Sequence, residues 1–139
     1  MKLEYARNGA ATITLLTHLS AILYVFFGKS AVLELSERIE IMLLLSPLTG
    51  VFALAAVRHV MTEARRRRSR RKVSYTFAFF ALGIPAIFGA LILFCIATYP
   101  EGFEGSIERL RITLSTIEVV IGGLIGAISD ELFQRSGDD

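Results

Sequence analysis

Residues 75–98 read YTFAFFALGIPAIFGALILFCIAT, and no charged side chain interrupts them. A helix needs about 20 mainly apolar residues to cross the hydrocarbon layer of a membrane. This stretch is long enough, and its flanks are polar, since a basic run precedes it and Pro100 and Glu101 follow it. It therefore predicts a membrane-spanning helix with a bend at Pro85.

Three further apolar stretches occupy the rest of the 139-residue chain, at residues 10–27, 41–57 and 112–128. Charged residues make up 20% of the chain and lie mainly between these stretches, while 53% is apolar and the mean hydropathy is +0.57. Too few short alternating segments are present for a membrane β-barrel. The sequence predicts an all-α integral membrane protein, a single domain over 1–139 in which four transmembrane helices form a bundle.

The loop at residues 58–74 holds most of the basic charge. Its basic residues are Arg58, Arg65, Arg66, Arg67, Arg68, Arg70, Arg71 and Lys72. The loops at 28–40 and 99–111 instead mix basic and acidic residues. Because loops rich in Lys and Arg stay in the cytoplasm, an even number of spans places both termini there too. The first stretch is longer than a signal-peptide core, so we expect an uncleaved helix in a bacterial inner membrane.

Two ionisable residues, His18 and Glu118, fall near the middle of the first and fourth stretches. Burying such a group in hydrocarbon is costly unless it has a partner, water or a neutralising proton. Two interpretations are open: a functional site, or a buried hydrogen bond that only joins two helices.

The depths of these two residues predict that they meet. At 1.5 Å per residue, His18 lies about 12 Å and Glu118 about 15 Å from the cytoplasmic end of its helix. Thr14 and His18 lie on one face of the first helix, which runs antiparallel to the fourth. We therefore expect His18 to hydrogen-bond Glu118, with Thr14 as a polar neighbour.

The fourth helix carries polar and small residues on one face. Inside the membrane these are Ser115, Glu118, Gly122, Gly126 and Ser129, which recur at helical spacing. One interpretation is a close-packing seam at Gly122-x-x-x-Gly126, which does not explain Glu118. The other is a pore, lined by this face in a homo-oligomer, in which rings of Glu118 select cations.

The arginine-rich run at 65–72 is expected first of all to fix the topology. Its charges would also bind anionic lipid headgroups and could dock a cytoplasmic protein partner. Nucleic-acid binding is disfavoured, because the loop has no aromatic side chain for stacking on bases and no known binding fold.

These features favour a small oligomeric membrane pore or ion-pathway protein. One alternative is a non-conducting membrane anchor or assembly subunit held by its basic loop, and another is a proton-coupled transporter using His18 and Glu118. No catalytic constellation, cofactor motif or metal cluster is visible in the sequence, so we expect a non-enzyme. Size and layout resemble the small four-helix membrane effectors with which some bacterial antiviral defence systems depolarise the cell, which implies a similar role. The small four-helix drug exporters differ, because their membrane carboxylate lies in the first helix.

Overall fold

The structure, a computed structural model, describes the backbone of residues 3–63 and 75–133. Within those ranges it describes all side chains except those of residues 3, 4, 6, 7, 48, 52–63, 77, 78 and 125–133. The described residues form four long helices: α1 (Leu3–Leu23), α2 (Leu35–Glu63), α3 (Tyr75–Thr98) and α4 (Ile107–Phe133). A π-helical turn (Tyr24–Gly28) continues α1, and a 3₁₀ turn (Glu101–Phe103) precedes α4. The predicted all-helical fold is thus confirmed for this part of the chain.

Helix α3 ends at the predicted residue, Thr98, and its described part starts at Tyr75, next to the undescribed segment 64–74. Helices α2 and α4 extend beyond their apolar stretches, and α1 starts before its stretch and passes into the π-helical turn within it. Hydropathy marks where side chains are apolar, whereas backbone hydrogen bonds continue through charged turns. Among the described residues, two segments are long and apolar enough to cross a membrane, Asn8–Gly28 and Phe79–Thr98. These two apolar segments agree with association of the protein with a membrane.

The helices pack in a square arrangement. Helix α1 packs along α2 and α3, and α4 packs along the same two helices, whereas the described parts of α1 and α4 make few backbone approaches to each other. The order around the square is therefore α1, α2, α4, α3, with α1 and α4 on a diagonal. The core between them is aliphatic, and its fully buried members include Ile41, Leu45, Ile92, Ile96, Leu110, Leu114 and Ile121.

Close contact between α1 and α3 depends on glycine. A Cβ built on Gly89 would lie 2.5 Å from Cγ2 and 2.8 Å from Oγ1 of Thr17. Such distances are too short for real atoms, so the bare glycine backbone lets α1 approach α3 one residue before His18.

The start of α4 follows its sequence signals. Glu104 and Gly105 have positive φ angles of 53° and 72°, which turn the chain into the helix. The backbone N–H of Arg109 then donates to the hydroxyl of Ser106 at 3.3 Å, so Ser106 caps α4. Pro47 lies inside α2, where it cannot donate to the carbonyl of Leu43. The hydroxyl of Ser46 donates to that carbonyl instead, at 3.0 Å.

The π-helical turn closes α1 at the end of the bundle that also holds the 99–106 loop; we call this the turn end. The backbone N–H of Lys29 donates to the carbonyl of Tyr24, five residues back, at 3.1 Å. A Cβ on Gly28 would lie 2.6 Å from two ring carbons of Tyr24, so glycine is required for that ring to lie against the turn. The wider turn leaves the Lys29 side chain buried rather than in solvent.

Candidate functional site

His18 and Glu118 meet in the interior of the bundle. Nε2 of His18 lies 3.0 Å from Oε1 of Glu118, which confirms the contact predicted from matched depth. The His18 side chain is 2% exposed and the Glu118 side chain 10%. Because their helices face each other across the diagonal, this polar contact runs through the middle of the packed helices, between α2 and α3.

The backbone fixes the form of the imidazole. Nδ1 of His18 lies 2.9 Å from the carbonyl oxygen of Thr14, and a carbonyl can only accept, so Nδ1 carries a hydrogen. Nε2 therefore faces Glu118 with one shared proton between them. Either a protonated Glu118 donates to Nε2, or an imidazolium donates to the carboxylate. Both forms have no net charge, which is what a buried site requires.

Thr14 contributes through its main chain. Its side chain is buried, as expected of a residue on the His18 face, but the hydroxyl donates to the carbonyl of Ala10 at 2.9 Å. The residue that sequence analysis placed beside His18 thus positions the imidazole by its carbonyl oxygen, and a side-chain substitution at this position leaves that oxygen in place.

The residues on the predicted polar face of α4 differ in their exposure. Ser115 is exposed, Gly122 is half-buried, and Glu118 points inward to His18. The centre of the buried face is instead the line Leu110, Leu114, Ile117 and Ile121. The structure therefore does not bring Ser115 and Glu118 onto one surface.

Several predicted site residues lie partly or wholly outside the described structure. Gly126 and Ser129 belong to the described backbone of α4, but nothing is described of their side chains. The basic run lies in the undescribed segment 64–74, and its members are Arg65, Arg66, Arg67, Arg68, Arg70, Arg71 and Lys72. Their proposed contacts with lipid headgroups or a partner remain predictions.

Lys29 is a buried residue that sequence analysis counted only as a loop charge. Its Nζ donates to the carbonyl oxygens of Ala97 at 2.9 Å and Tyr99 at 2.6 Å, and it lies 5.8 Å from the centre of the Tyr24 ring. These carbonyls end α3, where backbone acceptors lack helical partners, so the ammonium caps that helix. A lysine directly after an apolar stretch was the one available signal, and it does not distinguish a cap from a surface charge.

A second polar cluster at the turn end joins α2 to α4. The guanidinium of Arg111 contacts the carboxylate of Glu40 through Nη2, and its Nη1 lies 3.7 Å from Oε2 of Glu108. Burial raises the pKa of the nearby Tyr99 phenol, the Glu37 carboxylate raises it further, and the Arg111 guanidinium opposes both. Arg111 and Glu40 are thus the charged link between two helices that flank the core.

Among the described residues, no group of three or more His, Cys, Asp or Glu side chains could hold a metal ion. The chemistry that the His18–Glu118 site offers is that of one imidazole and one carboxylate sharing a proton. Comparison of the chain with family models, with curated proteins and with solved structures found no match.

Proposed function

We propose that this chain is an integral membrane protein whose four helices span the bilayer and which provides a proton pathway through His18 and Glu118. The observation that carries the proposal is the direction of the Glu118 carboxylate, across the bundle to a buried histidine. Ionisable residues at membrane depth mark ion pathways and proton relays when they face the interior of a bundle.

The exterior of the bundle supports four spans rather than two. Large apolar side chains are exposed on every helix, among them Leu16, Leu19, Leu43, Val51, Phe79, Ile87, Phe94, Ile112, Val119 and Leu124. A soluble monomer rarely exposes an apolar surface that continuous. Exposure of this apolar surface to water would be unfavourable, whereas lipid chains would cover it.

Aromatic residues support the same membrane position. Tyr5 and Tyr75 are exposed near one end of the bundle, and Tyr24 and Phe27 near the other. Tyr and Phe at both ends correspond to the aromatic belts of membrane proteins. Tyr5 and Tyr24 lie about 28 Å apart along α1 at 1.5 Å per residue, close to the ~30 Å of a hydrocarbon core.

Charge patterning supports the orientation. The proposal puts both termini and the basic loop in the cytoplasm of a bacterial cell, and the turn end outside, because Lys and Arg concentrate at 58–72. Anionic headgroups would then hold the basic run at the inner surface.

The shared proton supplies a mechanism. Release of that proton leaves a carboxylate and a neutral imidazole in the core, and a proton that arrives from either side restores the uncharged pair. Transfer across the membrane then requires the pair to exchange protons with one side at a time. A trigger that opened both sides would depolarise the cell, the role that the resemblance to defence effectors implies.

Proton flux into anionic liposomes tests this proposal. A potassium diffusion potential drives the flux, and an internal pH dye follows it. We expect flux with the unaltered protein and a loss of it in Glu118→Gln, which keeps the shape but cannot release a proton. Ser115→Leu is the matched control, one turn away on the exposed side of α4. Flux that Ser115→Leu blocks and Glu118→Gln spares would favour a pore between copies of the chain instead.

A second function is favoured by one observation. The hydrogen bonds of His18 to Glu118 and Thr14 satisfy both ring nitrogens, as a purely structural link between helices would. In that case the protein is a membrane anchor or assembly subunit for a cytoplasmic partner. Equal, background flux in the unaltered protein and in Glu118→Gln would support this function and overturn the first.

A further inference from the structure

The core between the His18–Glu118 pair and the turn end contains large aliphatic side chains. They come from three helices and are all fully buried: Ile41 and Leu45 of α2, Ile92 and Ile96 of α3, and Leu110 and Leu114 of α4. We call this layer the apolar seal. Ions and water do not cross a constriction of this kind unless it opens, because the passage dewets.

The core on the other side of the pair differs. The described buried residues of α1 and α3 there are small or polar: Ala10, Thr14, Ala81, Pro85 and Gly89. Small side chains and a hydroxyl exclude water less completely than branched aliphatic ones. On α4 the same side holds one described, fully buried aliphatic residue, Ile121, and the side chains of residues 52–63 and 125–133 lie outside the described structure.

One ion pair lies over the apolar seal. Arg111 precedes Glu118 by two helical turns on the same face of α4, which places it about 10 Å nearer the turn end. Its side chain is 29% exposed, and it binds Glu40 of α2, which is 52% exposed. The contact holds α4 against α2 where both contribute to the seal.

We propose that the Arg111–Glu40 ion pair is the outer gate of the proton pathway, closed in the conformation described and opened transiently to give the flux of the unaltered protein. This inference rests on the proposed function. While the pair is intact, α2 and α4 keep the seal packed, so the passage stays dry and closed. Separation of the two helices at this point exposes the His18–Glu118 pair to the outer side.

The chain offers a matched control two residues away. Arg109 contacts Glu104 at 2.6 Å, also at the turn end and also on α4, but the two side chains are 60% and 77% exposed. This pair lies outside the apolar seal and joins α4 only to its own preceding loop. Arg109→Gln removes the same charge without touching the α2–α4 contact.

The experiment compares proton flux in liposomes for Arg111→Gln, Glu40→Gln and Arg109→Gln, each normalised to inserted, folded protein. We expect the first two to raise flux about tenfold, equivalent to a barrier lower by about 1.4 kcal/mol, and the third to leave it unchanged. The exchange of charges in Glu40→Arg with Arg111→Glu should restore low flux. If neither Arg111→Gln nor Glu40→Gln exceeds Arg109→Gln, the gate is overturned.

Combination with Glu118→Gln separates this inference from the proposed function. Flux raised by Arg111→Gln and abolished by adding Glu118→Gln supports both. Flux that stays raised after adding Glu118→Gln supports the gate but shows that the path it closes avoids the carboxylate. Should Arg111→Gln fail to fold, Glu40→Gln tests the same contact from α2, where the carboxylate is half in solvent.

Discussion

His18 and Lys29 are both buried in α1 or just after it, yet their partners differ. His18 faces a carboxylate on α4, whereas Lys29 donates to two backbone carbonyls at the end of α3. A carboxylate can take up and release a proton; a carbonyl at ordinary pH cannot. Burial of a charged or titratable group is therefore not itself a sign of function, and the chemistry of its partner decides which of the two sites can move a proton.

The largest effect should be on flux, and it should separate the two sites. We expect Glu118→Gln to lower proton flux about a hundredfold or more, about 2.7 kcal/mol in barrier height. Lys29→Met should leave flux per folded molecule unchanged, because no proton passes through its carbonyl partners. Liposome flux with an internal pH dye measures both. Equal losses in the two variants would contradict the distinction between them.

The next effect is on stability, where Lys29→Met should have the larger effect of the two variants. Lys29→Met should lower the free energy of unfolding by about 2–4 kcal/mol, because hydrogen bonds to a charged group contribute about 1.5–3 kcal/mol each and two carbonyls lose their donor. Unfolding in mixed micelles followed by circular dichroism measures the change. Ser30→Ala, at the exposed neighbour of Lys29, is the control and should change stability little. If Lys29→Met left the free energy of unfolding unchanged, water would be satisfying the two carbonyls in place of the ammonium.

A smaller loss of stability should come from displacing α1 at Thr17, the residue before His18. Gly89→Ala forces Thr17 away from α3 and should cost about 1–3 kcal/mol, the usual cost of overpacking. It should also reduce flux, since His18 follows Thr17, while the Lys29 cap lies two turns further along. Gly83→Ala is the matched control, because a Cβ there meets nothing within 4 Å. If both alanines behave alike in unfolding and in flux, close packing at Gly89 does not position the imidazole.

The smallest effect concerns the direct coupling of His18 to Glu118. A double-mutant cycle with His18→Ala and Glu118→Ala should give a coupling free energy of about 1 kcal/mol, near the values found for hydrogen bonds between membrane helices. Unfolding transitions of the unaltered protein and three variants in the same micelles supply the cycle. Additive effects would indicate that the two residues do not interact in solution.

Much of the helical layout follows from the sequence alone. Polar residues follow the stretch at 75–98, so hydropathy and helical hydrogen bonding end together and the end of α3 at Thr98 was predicted. In α2 the apolar stretch and the helix begin at different residues. The apolar stretch begins at Ile41, but the helix begins at Leu35, with charged Glu37 and Arg38 in its early turns. Hydropathy cannot detect that kind of extension.

The pair was predictable, and its surroundings were not. Depth and periodicity depend only on positions within α1 and α4, and they were sufficient to bring His18 to Glu118. The same helical periodicity grouped Ser115 with Glu118, although the first is exposed and the second points inward. A single helix cannot show where its neighbours lie. Lys29 was missed for a related reason, since its partners are carbonyls far along the chain and carry no side-chain signal.

The π-helical turn gives the chain an unusual sensitivity to its length. It accommodates one more residue per turn than an α-helix, and Lys29 closes it by bonding back to Tyr24. Deletion of a single apolar residue from this segment, Phe27 for example, would hardly change composition or hydropathy. It would, however, return the turn to α-helical phase and rotate the lysine away from the carbonyls of Ala97 and Tyr99. Among related genes, a one-codon gap at this point should therefore be rarer than substitutions of the same residue.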